Sequence, residues 1–483
     1  MLVNVPERIY SRFSGQRGLP PDRPVYIEEF RDGSGFVFNA QHPSGVKYLT
    51  KDAFISYAEL IKETGCAPCV DPGKSPLHAD LVKHGIAGST GGAPARDKRA
   101  VGKKQFSVWF HISNACNLSC SYCYVPTLEK AVDVQAMATH FMSASTIRAA
   151  TRGLFEFCAE NNFRHLQIKF AGGEPTLNVE GINATCDIAR TLASECNITV
   201  TFAILTNGVF IDERIFPLFK KFHFAVSISM DGDRERHDES RFTILRSRPE
   251  GGCESVKRAG SWKIIDQNIS TLLLQGIRPF ILCTVTERNY RHLLDLAKYT
   301  VSKRIGFRLS LVRDRRSHEN HNFGNELLSE LIRVYEWLGE NMPADMPIER
   351  YARFAEWRPE SKKESVCGTC NNSMVIDQEG KVASCQMRMD KPHGTVHEEG
   401  LSSIFHRLRA AEENRYLTSP QTKSGDCSIC YWKFTCAGGC PEHTRMVMGT
   451  ANSPSPWCHV YQEFLPHYLR AIARQIKARV DRS

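Results

Sequence analysis

Three cysteines stand at C-x-x-x-C-x-x-C spacing in the run Asn114-Ala115-Cys116-Asn117-Leu118-Ser119-Cys120-Ser121-Tyr122-Cys123-Tyr124. Three thiolates can hold a four-iron cluster and leave one iron without a protein ligand, because a fully ligated cluster takes four cysteines. An open iron lets a small molecule complete the coordination and react there. Zinc is the competing occupant, although zinc ribbons favour C-x-x-C pairs.

Eight more cysteines crowd the C-terminal part of the chain: Cys367, Cys370, Cys385, Cys427, Cys430, Cys436, Cys440 and Cys458. Their centre reads C-x2-C-x5-C-x3-C, preceded by Gly380-x4-Cys385 and closed by Cys458. Eight thiolates satisfy two fully ligated iron clusters, and two zinc sites would use the same number. With 18 cysteines in all, the two spaced groups look like ligands rather than a disulfide framework. Cys66 and Cys69 form a C-x-x-C without a second pair nearby, and Cys158, Cys186, Cys196, Cys253 and Cys283 read as core or surface thiols.

Elements of a repeating kind must position these groups. Apolar, β-rich runs at 106–112, 166–171, 200–205, 224–229, 280–285 and 307–311 alternate with helical stretches such as 145–161 and 267–275. Six strands each followed by a helix predict a parallel α/β barrel or open barrel, in which ligands gather at the carboxyl ends of the strands. The cysteine trio falls just after the first strand. Gly172-Gly173-Glu174-Pro175 follows the second, Thr206-Asn207-Gly208 closes the third, Ser227, Ser229 and Asp231-Gly232 close the fourth, and Thr284 and Val285 end the fifth. Two adjacent glycines let backbone approach a ligand closely, and Glu174 can accept from an ammonium group. Each segment alone reads as a common turn; their recurrence on successive strands behind the trio carries the reading.

The cysteine run and the strand-end segments resemble the radical S-adenosylmethionine (SAM) superfamily, and the later cysteines resemble its SPASM extension. The resemblance implies an α/β fold: a partial (β/α)6 TIM-like radical SAM barrel with a small N-terminal winged-helix-like module and a C-terminal Cys-rich SPASM domain. Cys116, Cys120 and Cys123 would hold the cluster whose open iron SAM chelates, and one electron would cleave the sulfonium to a 5′-deoxyadenosyl radical. By the same resemblance Gly172, Gly173 and Glu174 bind the amino group of SAM, with Thr206 and Asn207 beside them. Ser229 reaches the ribose or carboxylate, and Arg241 the carboxylate, from a loop, 240–260, longer and more charged than the family's usual form. Thr284, Tyr122 and Tyr124 lie against the adenine.

In the SPASM part, Cys367, Cys370, Cys385 and Cys440 would hold an inner auxiliary cluster and Cys427, Cys430, Cys436 and Cys458 an outer one, for three [4Fe-4S] clusters in all. Relatives with this architecture modify peptides and proteins: thioether- and cyclophane-forming maturases of ribosomal peptides, and anaerobic sulfatase-maturing enzymes. In the latter an aspartate acting as base follows the cysteine equivalent to Cys385, whereas this chain has Gln386, which takes no proton at neutral pH. The run Cys436-Ala437-Gly438-Gly439-Cys440-Pro441, with Ser455-Pro456-Trp457-Cys458, resembles the cyclophane formers. The expected activity is oxidative crosslinking of a ribosomal peptide, the alternative another oxidative protein side-chain maturation. The sequence names no general base: Asp314, Glu319, Asp377 and Glu379 lie near expected barrel-mouth positions, where surface carboxylates are common.

The resemblance divides the 483 residues into 1–95, an N-terminal module; 101–355, the radical SAM core; and 360–483, the SPASM part. The order of elements at 25–87 resembles a winged-helix element that captures a leader peptide on a sheet edge. Clusters at 97–99 and 103–104 flank a Gly/Ala/Pro-rich linker, 88–96, and the net charge of +9 is modest. No apolar run reaches the roughly 20 residues that span a bilayer, and the N-terminus lacks the pattern of a secretory signal. The expected setting is cytoplasmic. Expected partners are a peptide or protein substrate and a small electron donor such as flavodoxin or ferredoxin, rather than nucleic acid or membrane.

Overall fold

The computed structural model describes residues 25–40, 45–64, 69–70, 81–82, 88–89, 105–125, 140–247, 255–314, 321–363, 365–411, 425–428 and 430–482. Cys66, Cys253, Glu319, the basic clusters at 97–99 and 103–104 and most of the 88–96 linker lie outside these. The chain forms two compact units, one of residues 101–317 and 368–418, the other of 1–100, 318–367 and 419–483.

The first of these units contains six parallel strands: β1 (Gln105–Ser113), β2 (His165–Gly172), β3 (Thr199–Thr206), β4 (Ala225–Ser229), β5 (Phe280–Val285) and β6 (Gly306–Leu311). They lie in the order β6-β5-β4-β3-β2-β1, and beyond β1 come Ser373–Ile376, parallel to it, and the antiparallel Val382–Ala383. The described sheet is therefore open rather than closed on itself. Intervening helices are α1 (Ala144–Glu160), α2 (Val179–Cys196), α3 (Ile215–Phe222), α4 (Arg234–Ser240), α5 (Trp262–Leu274) and α6 (Leu293–Ser302).

Period-two alternation sends Phe106, Val108, Phe110 and Ile112 of β1 into a dry helix-facing layer. There Phe106 meets Phe157 of α1 at 4.7 Å and Phe405 of the helix Leu401–Ala410 at 5.6 Å. Fully burying each such ring contributes about 1.5–3 kcal/mol. The opposite face of the strands bears Ser107, Trp109 and His111, with Lys169 of β2 over the Trp109 ring at 5.0 Å.

Two elements differ from the sequence reading. Within the charged segment 240–260, Phe242–Ser247 and Ser255–Gly260 pair as the two arms of an antiparallel β-hairpin, with Phe242 opposite Gly260. α5 begins five residues earlier than the apolar pattern indicates, because its first amides are met from afar: Asp238 Oδ1 accepts from Ser261 N and Trp262 N, both at 2.8 Å.

In the other unit, Val25–Glu29, Gly35–Asn39 and Lys47–Leu49 form an antiparallel sheet followed by the helix Lys51–Thr64. This sheet packs against the long helix Cys458–Val480: Arg470 Nε donates to Glu28 Oε1 at 2.5 Å, and Lys477 pairs with Asp32 at 2.7 Å. The same helix buries Phe464 and Tyr468 against Tyr335 of His321–Asn341, both at 5.1 Å between ring centroids. Among the described residues no helix is long and apolar enough to cross a membrane.

Candidate active site

The loop 114–124 leaves β1 and is held from two sides. From β2, Gly173 N donates to Ser113 O and Glu174 N to Ala115 O, both at 2.8 Å. Gly172 has φ +117°, and a Cβ there would collide with the Ser113 carbonyl, so a side chain would push the strand end and the cysteine loop apart. From the hairpin side, Ser119 N donates to Phe242 O at 2.8 Å, Ser121 N to Ser240 O at 3.0 Å, and Thr243 Oγ1 to Asn117 O at 2.7 Å. The hairpin segment is thus a wall of the cysteine loop.

Glu174 is fully buried and accepts four hydrogen bonds from the chain. Oε1 takes Thr176 N (3.0 Å), Thr176 Oγ1 (2.6 Å) and Thr206 Oγ1 (2.7 Å), while Oε2 takes Asn207 N (2.6 Å). Burial raises its pKa, against which these donors work. Glu174 therefore ties the end of β2 to the end of β3. Asn207 extends the tie to the cysteine loop, its Nδ2 donating to Asn117 Oδ1 at 2.7 Å and to Cys116 Sγ at 3.9 Å.

A second buried carboxylate, Asp231, closes the other side. Its Oδ2 accepts from Arg241 Nε at 2.8 Å and from the Tyr122 hydroxyl, and its Oδ1 accepts Thr284 N at 2.9 Å. Arg241, 9 % exposed, lays its guanidinium over the Tyr122 ring at 5.3 Å and directs Nη1 to Cys120 Sγ at 3.6 Å. Burial pushes the Tyr122 phenol above its usual range, with Arg241 working against the shift. Behind Asp231, its own N–H donates to His237 Nδ1 at 3.2 Å, and Asn289 Nδ2 joins Asp231 O (2.9 Å) to Thr284 O (2.8 Å). The accepting Nδ1 leaves the His237 proton on Nε2, 2.9 Å from Ser261 Oγ, and burial lowers this imidazole to about 4.

Ser229 sits half-buried at the end of β4, Thr284 half-buried near the end of β5, and Tyr124 is exposed at 40 %, 6.0 Å from the Arg313 guanidinium. His111 on β1 is buried with Nε2 unpartnered; Gln386 hydrogen-bonds its imidazole, and burial holds its pKa down to about 4. Asp377 caps a turn, Oδ1 accepting Glu379 N (2.9 Å) and Lys381 N (2.8 Å).

The three thiols fit an iron–sulfur cluster. Cys116 Sγ accepts from Leu118 N at 3.5 Å as well as from Asn207. Burial, then Glu174, Cys120 and Cys123, drive the pKa of Cys116 up, so this thiol gives up its proton to a bound cation rather than to water.

A second thiol group lies in the other unit. Cys427, Cys430, Cys436 and Cys458 line one cavity of about 50 Å³ with Trp432, Lys433, Tyr461 and Gln462. Burial and neighbouring thiols push Cys427 to about 12 and Cys458 to about 11. Cys367 and Cys440 belong to this unit, Cys370 and Cys385 to the one bearing Cys116. Cys385 precedes the turn Gln386–Arg388 and Cys440 the helix Pro441–Met448.

Residues 110–300 match the model of the radical SAM superfamily. A cysteine-type anaerobic sulfatase-maturating enzyme of Clostridium novyi (strain NT) is 22% identical over 365 residues, 73% of this chain and 92% of that protein. This chain is a relative of the SPASM-type radical SAM maturases. It is a SAM-dependent iron–sulfur enzyme. The radical SAM cyclopropyl synthase of Paramaledivibacter caminithermalis (strain DSM 15212 / CIP 107654 / DViRD3) is 22% identical over 338 residues, 68% of this chain and 66% of that protein. Native anSMEcpe with bound AdoMet shares the fold, with a TM-score of 0.58 at 20% identity over 78% of this chain and 100% of that one.

Within this radical SAM fold the structure gathers Tyr122, Gly172, Gly173, Glu174, Thr206, Asn207, Arg241 and Thr284 around the cysteine loop through the bonds above. It adds residues to which the sequence assigned no role in the site: Asn117, Asp231, His237 and Asn289. Asp231 stood in view as part of a Ser-x-Asp-Gly turn. Its five partners include Tyr122, Thr284 and Asn289 from segments far apart in sequence, which no local pattern displays.

Proposed function

We propose that this radical SAM enzyme oxidatively modifies a ribosomally made peptide or protein, installing an intramolecular carbon–carbon or thioether crosslink after hydrogen abstraction. The observation that carries the reading is the Cys116–Cys123 loop, braced by Glu174 and Asp231 and supplied with N–H donors to its sulfurs. SAM bound at the open iron supplies, with one electron, the hydrogen-abstracting chemistry. The chain's own part is to orient and to exclude water. Gly172 and Gly173 bring backbone close to the loop, and Glu174 fixes Thr206 and Asn207. Asp231 aims Arg241 and Tyr122, while Ser229 and Thr284 line the strand ends where the ribose and adenine would lie.

Cys427, Cys430, Cys436 and Cys458, and separately Cys367, Cys370, Cys385 and Cys440, would hold two auxiliary clusters, making three [4Fe-4S] in all and offering an exit for the second electron. That exit suits a net oxidation such as bond formation. The substrate class is supported by the relatives' names and by native anSMEcpe with bound AdoMet and Cp18Cys peptide. The N-terminal sheet would offer its edge to a leader peptide, and a flavodoxin or ferredoxin would deliver the electron.

A second reading, another oxidative side-chain maturation, draws on sulfatase-maturating relatives whose length is 92–94% spanned. Gln386 speaks against the formylglycine version, since an amide takes up no proton. Coexpression with the short peptide encoded beside the gene separates the two. A crosslink removes two hydrogens per event, and a gain of oxygen mass favours the second reading.

A further inference from the structure

Asp231 is fully buried, yet its carboxylate serves two side chains that both touch the cysteine loop. Oδ2 receives Arg241 Nε at 2.8 Å and the hydroxyl of Tyr122, which lies between Cys120 and Cys123. The guanidinium so held turns Nη1 onto Cys120 Sγ at 3.6 Å. The carboxylate is itself fixed by Thr284 N at 2.9 Å, and the backbone behind it by His237 and Asn289. Both charges are withdrawn from water, where each is costly without the other.

A cationic donor on a ligand sulfur stabilises the reduced, more negative state of a cluster, and a nearby anion opposes it; hydrogen bonds to sulfur and net charge are the protein's main levers on such potentials. We propose that Asp231 and Arg241 act as opposed charges on the cluster of Cys116, Cys120 and Cys123, the guanidinium on the Cys120 sulfur making its reduction potential less negative and the Asp231 carboxylate making it more negative. This rests on the radical SAM reading above. Arg241 then acts on the electron-accepting step as well as on the carboxylate of SAM.

The test is an EPR-monitored redox titration of the reconstituted full-length protein, following the signal that changes when SAM is added. Asp231→Asn removes the anion while leaving the cation, so the midpoint moves to a less negative value. Arg241→Gln removes the cation and its N–H···S bond, so the midpoint moves to a more negative one. Arg241→Lys, which keeps charge without the fork, falls between Arg241→Gln and wild type. Opposite shifts from two partners of one pair are not expected of a merely structural role. Midpoints unmoved, or moved in the same direction by Asp231→Asn and Arg241→Gln, overturn the inference. If Asp231→Asn fails to take up iron, the Arg241→Gln and Arg241→Lys midpoints decide, and wild-type values for both overturn it. A wild-type protein with no SAM-responsive signal would instead overturn the radical SAM reading itself.

Discussion

Glu174 accepts the Thr206 hydroxyl at 2.7 Å with both residues buried, and through this bond β2 and β3 end as one piece. Replacing Glu174 by Gln turns an acceptor-only group into one that presents N–H₂ to a neighbourhood of donors. Leaving buried donors unsatisfied costs about 1–3 kcal/mol. Glu174→Gln is expected to lower the urea midpoint by that order and to reduce iron retained after reconstitution; unchanged values for both would contradict the bracing role.

Gly172 is the point where backbone space is tightest. Gly172→Ala places a Cβ against the Ser113 carbonyl at φ +117°, a region that L residues rarely adopt. Backbone strain of this kind costs on the order of 1–3 kcal/mol. The variant is expected to unfold earlier on heating and to bind less iron at the Cys116 loop, whereas the half-buried Gly173, next in the chain, gives a milder loss.

Acid should weaken the fold through two imidazoles. His111 and His237 lie near 4 in the folded protein against a reference of 6.5, with burial the leading cause in both. A base with a depressed folded pKa contributes stability that is complete above about 6.5 and drains away as pH falls toward 4. At pH 5 the loss is about 2 kcal/mol per imidazole, from ~1.36 kcal/mol per pH unit. Denaturant titrations of the iron-free protein at pH 7 and pH 5 measure it, and a His237→Asn variant should lose less between them.

The outer thiol quartet depends on aromatic packing. Trp432 lines its cavity and meets Tyr26 at 6.0 Å and Phe38 at 6.3 Å between ring centroids. Trp432→Ala is expected to cost about 3–5 kcal/mol and to remove roughly four irons per chain, the content of one cluster. Iron content equal to wild type would separate the quartet from this packing.

Much of the site was legible because metal ligands and strand ends write themselves locally. Cys116, Cys120 and Cys123 fall within eight residues, and Gly172-Gly173-Glu174 follows a strand whose alternation is plain. Asp231 was not legible as a hub, since Tyr122, Arg241, Thr284 and Asn289 reach it from four other segments. The early start of α5 was hidden for the same reason: Asp238, more than twenty residues away, supplies the acceptor that a local cap would otherwise provide. The hairpin at 242–260 carries more charge than a strand pair commonly shows, and so read as loop.

The most direct measurement is the incubation of anaerobically reconstituted protein with SAM and dithionite, beside a Cys123→Ala control. The account predicts 5′-deoxyadenosine well above the control, and iron near twelve per chain from three four-iron clusters. No 5′-deoxyadenosine above the control, with the cysteines loaded, would contradict it.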